Sequence, residues 1–265
     1  MPDSTRPLKN YPYNSRYVAT VQHNAKTNEP FIALPAPLSS IRLTPPRLDD
    51  ADEILPIMNN LEIAMNFASP PYPYLREHCD SWLRDRVRDY EDAMIHISNV
   101  DGDVGFLDSF PFRHIREVGS DGTETFLGDI GLIREYSFCE IEDPEARVAR
   151  VNANMNLPPG DSDIVWTFGD YLRPTHHGRG IMSAAIKAVI DLWATPHMNA
   201  RSFYAAAFSE NVGSQKVFIK NGFEIVHRVV GAVAFPESKG GHVKDSIILR
   251  RDVPVPSQRL PGKNV

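Results

Sequence analysis

Arg173-Pro174-Thr175-His176-His177-Gly178-Arg179-Gly180-Ile181-Met182 joins a strand-like run to a helix-like run with no side chain suited to cap the helix between them. A helix start leaves about four backbone N–H groups unpaired, and a Ser, Thr, Asp or Asn at the junction normally accepts from one of them. Gly178, Arg179 and Gly180 offer no such acceptor. The two glycines let the backbone come close to a ligand, and the amino end of a helix carries partial positive charge. A phosphate or pyrophosphate is therefore the natural occupant. A plain strand-to-helix turn shows the same local pattern, because Gly-x-Gly alone is common.

The flanks supply the geometry. Upstream, Ile164 to Leu172 is rich in β-branched and aromatic residues and is ended by Arg173-Pro174, which reads as a strand. Downstream, Ile181 to Trp193 is apolar except at Ser183, Lys187 and Asp191, which recur at i, i+4. Such a helix is buried on most sides and shows one polar stripe. A P-loop needs Lys and Ser/Thr after its last glycine, whereas Gly180 is followed by Ile181 and Met182. A dinucleotide fingerprint needs an acidic residue after a second strand, and Ala194 to Arg201 contains none.

Further blocks stand in a telling order. Ser202 to Phe208 reads as a strand; Ser209-Glu210-Asn211 leads into a helix from Val212 to about Asn221, closed by Gly222 before Phe223. Toward the amino end, Ile41 to Leu48 reads as a strand. Asp49-Asp50-Ala51-Asp52 then starts a helix from Glu53, Pro-Tyr-Pro-Tyr follows at 71–74, and a second amphipathic helix runs around Leu75 to Tyr90. With Thr175 to Gly180 in the place of a Gln/Arg-x-x-Gly-x-Gly/Ala motif, and Asn211, Ser214, Val217, Phe218, Gly222 and Phe223 in that of an Asn-x-x-Ala/Ser block, residues 40 to 252 resemble the GNAT family of N-acetyltransferases. The opening blocks and Gly-x-Gly-Ile-Met-Ser are similar to its RimJ/RimL-like subgroup. Thr175 departs from the long polar side chain usual at its position, and Phe218 from the tyrosine found in many members.

The resemblance implies an α/β (α+β) three-layer fold with a mixed, mostly antiparallel central sheet, in which the parallel fourth and fifth strands splay apart. It implies acetyl-CoA as co-substrate, held by Leu172, Arg173, His177, Gly178, Arg179, Gly180, Ile181, Met182, Asn211 and Ser214. The acetyl group passes directly to a primary amine, either a protein N-terminus or a small molecule. Phe218 has no proton to give the departing thiolate, so that role is assigned to Ser214. Asp170 and Glu135 are the candidate bases, with His177 a third option. Phe218 and Thr175 also support a second reading, a non-catalytic acyl-CoA binding or sensing module.

With 265 residues, 42% of them apolar, the chain is expected to form one large domain. The expected divisions are an N-terminal arm over 1–38, with Tyr11, Tyr13 and Tyr17, a domain over 39–252, and a C-terminal tail over 253–265. Within the domain, residues near 101–125 and 139–160 read as loop insertions. The net charge of −6 argues against broad nucleic-acid binding. No apolar run reaches the ~20 residues that span a bilayer, and no signal segment is visible, so a cytoplasmic protein without membrane attachment is expected, as monomer or homodimer. Cys79 and Cys139 have no Cys-x-x-Cys spacing, and His176-His177 cannot share a helix face as zinc ligands do; reduced thiols and no metal are expected.

Overall fold

Val165-Trp166-Thr167-Phe168 and Ser202-Phe203-Tyr204-Ala205 are β-branched and aromatic runs that suit the centre of a covered sheet, and they form its core. A computed structural model describes residues 14–99 and 105–254. In chain order, a 3-10 turn at Ser15–Tyr17 leads into β1 (Gln22–Asn24), β2 (Glu29–Ala33) and β3 (Ile41–Thr44). Helices α1 (Ala51–Met58), α2 (Leu61–Ala64) and α3 (Arg76–Ile97) follow, then β4 (His114–Val118), β5 (Glu124–Arg134), α4 (Pro144–Met155) and β6 (Val165–Leu172). The chain continues through α5 (Ile181–Ala188), a π-helical stretch at Val189–Ala194, α6 (Thr195–His197), β7 (Ser202–Phe208), α7 (Val212–Ile219), β8 (Glu224–Ala234) and β9 (Val243–Asp252).

The strands lie in the order β1-β2-β3-β4-β5-β6-β7-β9-β8. Only β6 and β7 pair parallel; every other neighbouring pair among the described residues is antiparallel. One face packs on α5 and the π stretch through Ile130, Phe168, Leu172, Ile181, Ile186 and Trp193. The other packs on α1 and α3 through Phe126, Tyr171, Ile54, Cys79 and Leu83. The expected mixed, three-layer fold is the one observed. The polar stripe of α5 also behaves as its spacing suggests, with Lys187 and Asp191 exposed and ion-paired.

Three segments expected as an arm and loops contain regular structure. The N-terminal arm is, from Asn14 on, part of the packed domain: Tyr17 is fully buried, and β1 and β2 extend the sheet, β2 pairing with β3 through Ile32 and Leu43. The short apolar run Phe31-Ile32-Ala33-Leu34 drives this, because a hairpin too small to stand alone becomes stable when it extends an existing sheet. Tyr11 and Tyr13 lie outside the described residues.

The insertion near 101–125 contains β4. Its inward residues His114 and Arg116 are 0% and 2% exposed, so charged side chains hide the usual alternation of apolar and polar positions. The insertion near 139–160 contains α4, started by the Asp143 side chain and Pro144 at the first turn. Asn154 fixes this helix to the sheet by donating to the carbonyls of Glu135 and Val165 and accepting from Val165 N. Of the C-terminal tail, Val253 continues the β7–β9 pairing, its N–H donating to Arg201 O, and residues beyond 254 lie outside the described part.

Candidate active site

The loop between β6 and α5 is built by its own backbone. His176 N and His177 N donate to the carbonyls of Arg173 and Pro174 in a 3-10 turn. The His177 ring folds back, its Nε2 donating to Leu172 O at 2.7 Å. Gly178 and Gly180 then adopt φ of 74° and 79°, in the left-handed region that disfavours side chains. Gly180 is the N-cap of α5, and among the described residues no side chain accepts a hydrogen bond from the helix start. Among the described residues, none of the backbone N–H groups from 178 to 183 donates to a protein acceptor. A Cβ added at Gly178 or Gly180 meets nothing within 4 Å, so the space over these amides is open.

Next to this loop the sheet forks. β6 and β7 pair at Val165 with Ser202, Trp166 with Phe203 and Thr167 with Tyr204, and then part, although β6 runs on to Leu172 and β7 to Phe208. The root of the fork is filled by Phe168, whose ring lies 6.1 Å from Phe203, 5.8 Å from Phe218 and 6.3 Å from Phe223. Phe218 is thus a buried packing residue, and an aromatic ring without a hydroxyl suits that apolar place. At the mouth on the β7 side, Asn211 caps α7 by accepting from Ser214 N at 3.1 Å. The Ser214 hydroxyl makes no hydrogen bond among the described residues, and Ser214 is half-buried.

The proposed site residues separate into groups. Leu172, His177, Gly178, Gly180, Ile181, Met182, Asn211 and Ser214 surround the fork. Arg173 is spoken for: its guanidinium bonds Glu53 and, at 3.0 Å, Phe126 O, so it ties β6 to α1 and β5. Arg179 is exposed and pairs with Glu117 at 3.1 Å, and His176 stands 3.4 Å from the same carboxylate. That carboxylate holds side chains and leaves the helix amides open. His177 spends its Nε2 on holding the loop.

Glu135 stands apart from the fork. It is 5% exposed, and Oε1 accepts from Ser137 N, Ser137 Oγ and Phe138 N, the pattern of a turn-closing residue. It also lies at the wrong end of the sheet, beyond Arg134, which pairs with Trp166, whereas the loop begins at Leu172, opposite Gly128. With a rise of about 3.3 Å per residue, it is roughly 20 Å from the fork's mouth.

Asp170 lies in the open part of β6, opposite Ile130. It keeps partial solvent contact, yet desolvation of its carboxyl, and then the negative charge of Asp129, push its pKa up to about 7. Alternation along the strand puts Asp170 on the α5 face with Phe168 and Leu172, and Gly169 and Tyr171 on the α3 face.

Sequence reasoning missed a buried charge network on that α3 face. Arg116 bonds Asp50 through Nη2, and His114 Nδ1 donates to Asp50 Oδ2 at 2.6 Å. Arg113 grips Asp129 bidentately at 2.7 and 2.8 Å. His114 is stacked on Trp82 with ring centroids 6.0 Å apart. Burial raises the Asp50 carboxyl, but the hydrogen bonds and charges of His114 and Arg116 outweigh it and hold the pKa at about 2. His114, fully buried, is pulled below its ordinary value by desolvation, against the partial support of Asp50. The visible signal was a strand carrying His114 and Arg116 beside one carrying Asp129, each charge set among apolar neighbours.

A mixed sheet whose two parallel strands part beside a bare helix start leaves an open cleft, the architecture of acyl-CoA dependent acyltransferases. Residues 40–224 match the family model described as the acetyltransferase (GNAT) domain. This is well over half of the chain; the protein belongs to the GNAT family and is an acetyltransferase. No curated protein matches the sequence. Among solved structures, RimL, the ribosomal L7/L12 α-N-protein acetyltransferase in complex with coenzyme A, shares 12% identity with a TM-score of 0.55, over 84% of this chain and 98% of that one. The microcin C7 self-immunity acetyltransferase MccE, in complex with acetyl-CoA and AMP, shares 16% with a TM-score of 0.54, over 81% and 93%. The ribosomal-protein-S5-alanine acetyltransferase of Vibrio fischeri shares 15% with a TM-score of 0.53, over 80% and 93%. At these identities the likeness is one of fold, and it agrees with the RimJ/RimL-like resemblance of the sequence. Among the described residues, no helix is long and apolar enough to cross a membrane, and no cluster of metal-ligating side chains occurs.

Proposed function

We propose that this acetyltransferase moves the acetyl group of acetyl-CoA to a primary amine by direct attack within a ternary complex. The observation that carries the reading is the run of unpaired N–H groups from 178 to 183 beside the β6–β7 fork. Those amides suit a pyrophosphate. The edge of β6 that faces β7 beyond Thr167 offers alternate backbone groups to the amides of a pantetheine arm, as an added strand would take them. Asn211 and the start of α7 close the other side.

In the reaction the amine nitrogen attacks the thioester carbon. The C–N bond forms, negative charge gathers on the carbonyl oxygen, and the C–S bond then breaks. A backbone N–H of β6 near Asp170 to Leu172 supplies the oxyanion donor. The amine proton leaves through water to Asp170, whose pKa of about 7 suits a base at neutral pH. Water is needed because Asp170 belongs to the α5 face while an acceptor has room on the α3 face, beside Gly169. The Ser214 hydroxyl donates to the departing sulfur, which takes up one proton from solvent while Asp170 returns one, so a neutral amine is acetylated with no net proton produced. The acceptor is a protein N-terminus or a small amine.

A thiol-release assay with acetyl-CoA and a panel of primary amines, run beside calorimetric titration with CoA, tests the reading. CoA binding with turnover of at least one amine is expected. Tight binding without turnover on any acceptor would instead make the protein a sensor, and absence of CoA binding would remove the loop assignment.

A further inference from the structure

On the α3 face the two arms of the fork are bridged by an arch. Phe67, from the segment after α2, packs edge-on against Tyr171 near the end of β6 at 6.2 Å. Phe235, just after β8, packs against Phe208 at the end of β7 at 5.3 Å. Lys239, in the turn between β8 and β9, lies between them: its Nζ donates to Phe67 O at 2.6 Å and stands 6.0 Å from the Phe235 ring. Lys244 makes a parallel link, donating to Met65 O at 3.0 Å.

The two lysines differ in charge balance. Lys244 pairs with Glu210 at 2.8 Å. Lys239 is 3% exposed, uses one N–H on a carbonyl, and has no carboxylate within ion-pair distance among the described residues. A covered ammonium normally has a counter-charge and partners for all three donors. A link to a carbonyl alone needs no charge; a neutral amide would serve. On the same face of the sheet, Gly169 of β6 and Ala206 of β7 are both exposed, so small residues leave the floor of the fork accessible.

Building on the acetyltransferase reading above, we propose that Lys239 receives a carboxylate of the acceptor, so that the enzyme selects primary amines carrying an acidic group near the reacting nitrogen. One unpaired positive charge matches a singly charged carboxylate better than a dianionic phosphate, because Lys244 is already neutralised. The carboxylate comes either from a free amino acid or from an acidic side chain next to a peptide N-terminus. Lys239 is here a specificity residue that touches the acceptor and takes no part in proton transfer.

Matched acceptors test this with the full chain and saturating acetyl-CoA: amino acids against their amides, and N-terminal peptides with Glu against Gln at the second position. The wild type is expected to favour the carboxylate member of one pair type by about ten-fold or more in kcat/KM, the scale of one charge-assisted hydrogen bond. Which pair shows it identifies the source. Lys239→Gln is expected to bring the ratio near unity with KM for acetyl-CoA unchanged, and Lys239→Arg to restore part of it. Equal turnover of matched pairs by the wild type overturns the proposal, as does a preference that survives in Lys239→Gln. If the panel shows no turnover, the N-acetyl products of the same pairs are titrated into the CoA-bound protein. Tighter binding of the carboxylate member supports the proposal, and equal or absent binding of both overturns it. Loss of CoA binding itself is a different result, and marks failure of the acetyltransferase reading.

Discussion

Asp170 is held in a state that costs stability. Its folded-state pKa of about 7 lies above the ordinary 3.8 because desolvation and Asp129 disfavour the charge. Between these values the folded chain binds more protons than the unfolded one, so its contribution to stability falls as pH rises through that window. Asp170→Asn is therefore expected to raise the melting temperature relative to wild type at pH 8 and to leave it nearly unchanged below pH 4. The same variant is expected to abolish the rise of kcat through pH 7, which a pH–rate profile reads directly. A retained limb would assign the base elsewhere. Ser214 makes a second, separable case. Its hydroxyl has no hydrogen-bond partner among the described residues, so Ser214→Ala is expected to spare the fold. Because the hydroxyl acts at thiolate departure, kcat is expected to drop about ten-fold or more with little change in KM. An unaltered kcat would return Ser214 to the role of a plain helical serine.

At the level of elements, the proposed function makes the turn from β6 into α5 the place where local backbone chemistry meets the ligand. Both glycines sit at positive φ in open space, so a side chain at either costs backbone strain of about 1 kcal/mol without a clash. Gly178→Asp uses this: Asp tolerates the left-handed region, and its carboxylate would stand where a pyrophosphate belongs. The expected result is a folded protein, by thermal melting, with CoA binding lost by calorimetry; unchanged affinity would refute the loop's role. This turn was readable in the sequence because every cause is local: strand residues, Arg-Pro, two glycines, then apolar residues with a polar stripe. The cap of α7 by Asn211 and its end at Gly222, with φ 77°, were readable for the same reason. Helix α4 was missed even though Asp143-Pro144-Glu145 is a helix-start signal, because its polar composition gives only a weak apolar face.

Across the molecule, the buried network of Asp50, His114 and Arg116 joins the start of α1 to β4, and acid should loosen that junction. Both titrating groups have depressed folded-state values, so in acid the unfolded chain binds more protons and stability declines as pH falls. His114 contributes first, as pH drops below about 6.5, and Asp50 follows between roughly 4 and 2, where its shift is worth about 2 kcal/mol. Asp50→Asn leaves Arg116 buried without its carboxylate and is expected to cost about 3 kcal/mol at neutral pH in denaturant melts, with the gap closing toward pH 2. A gap that stays constant with pH would deny the coupling.

Such a network could not be read from the chain, because Asp50 and Arg116 are 66 residues apart and come together only when β4 lines up beside β3. The same holds for the N-terminal hairpin, whose strands are marginal until a sheet edge receives them, and for Glu135, whose position after a strand said nothing of which end of the sheet that strand would occupy. By itself the sequence determined the elements that local propensity and capping control: the two strands of the fork, the bare helix start, and through their order the family. Tertiary structure alone decided which charges were buried together, which candidate carboxylate stood in the fork, and that Lys239 was covered without a counter-charge among the described residues, since desolvation and pairing depend on neighbours brought from far along the chain.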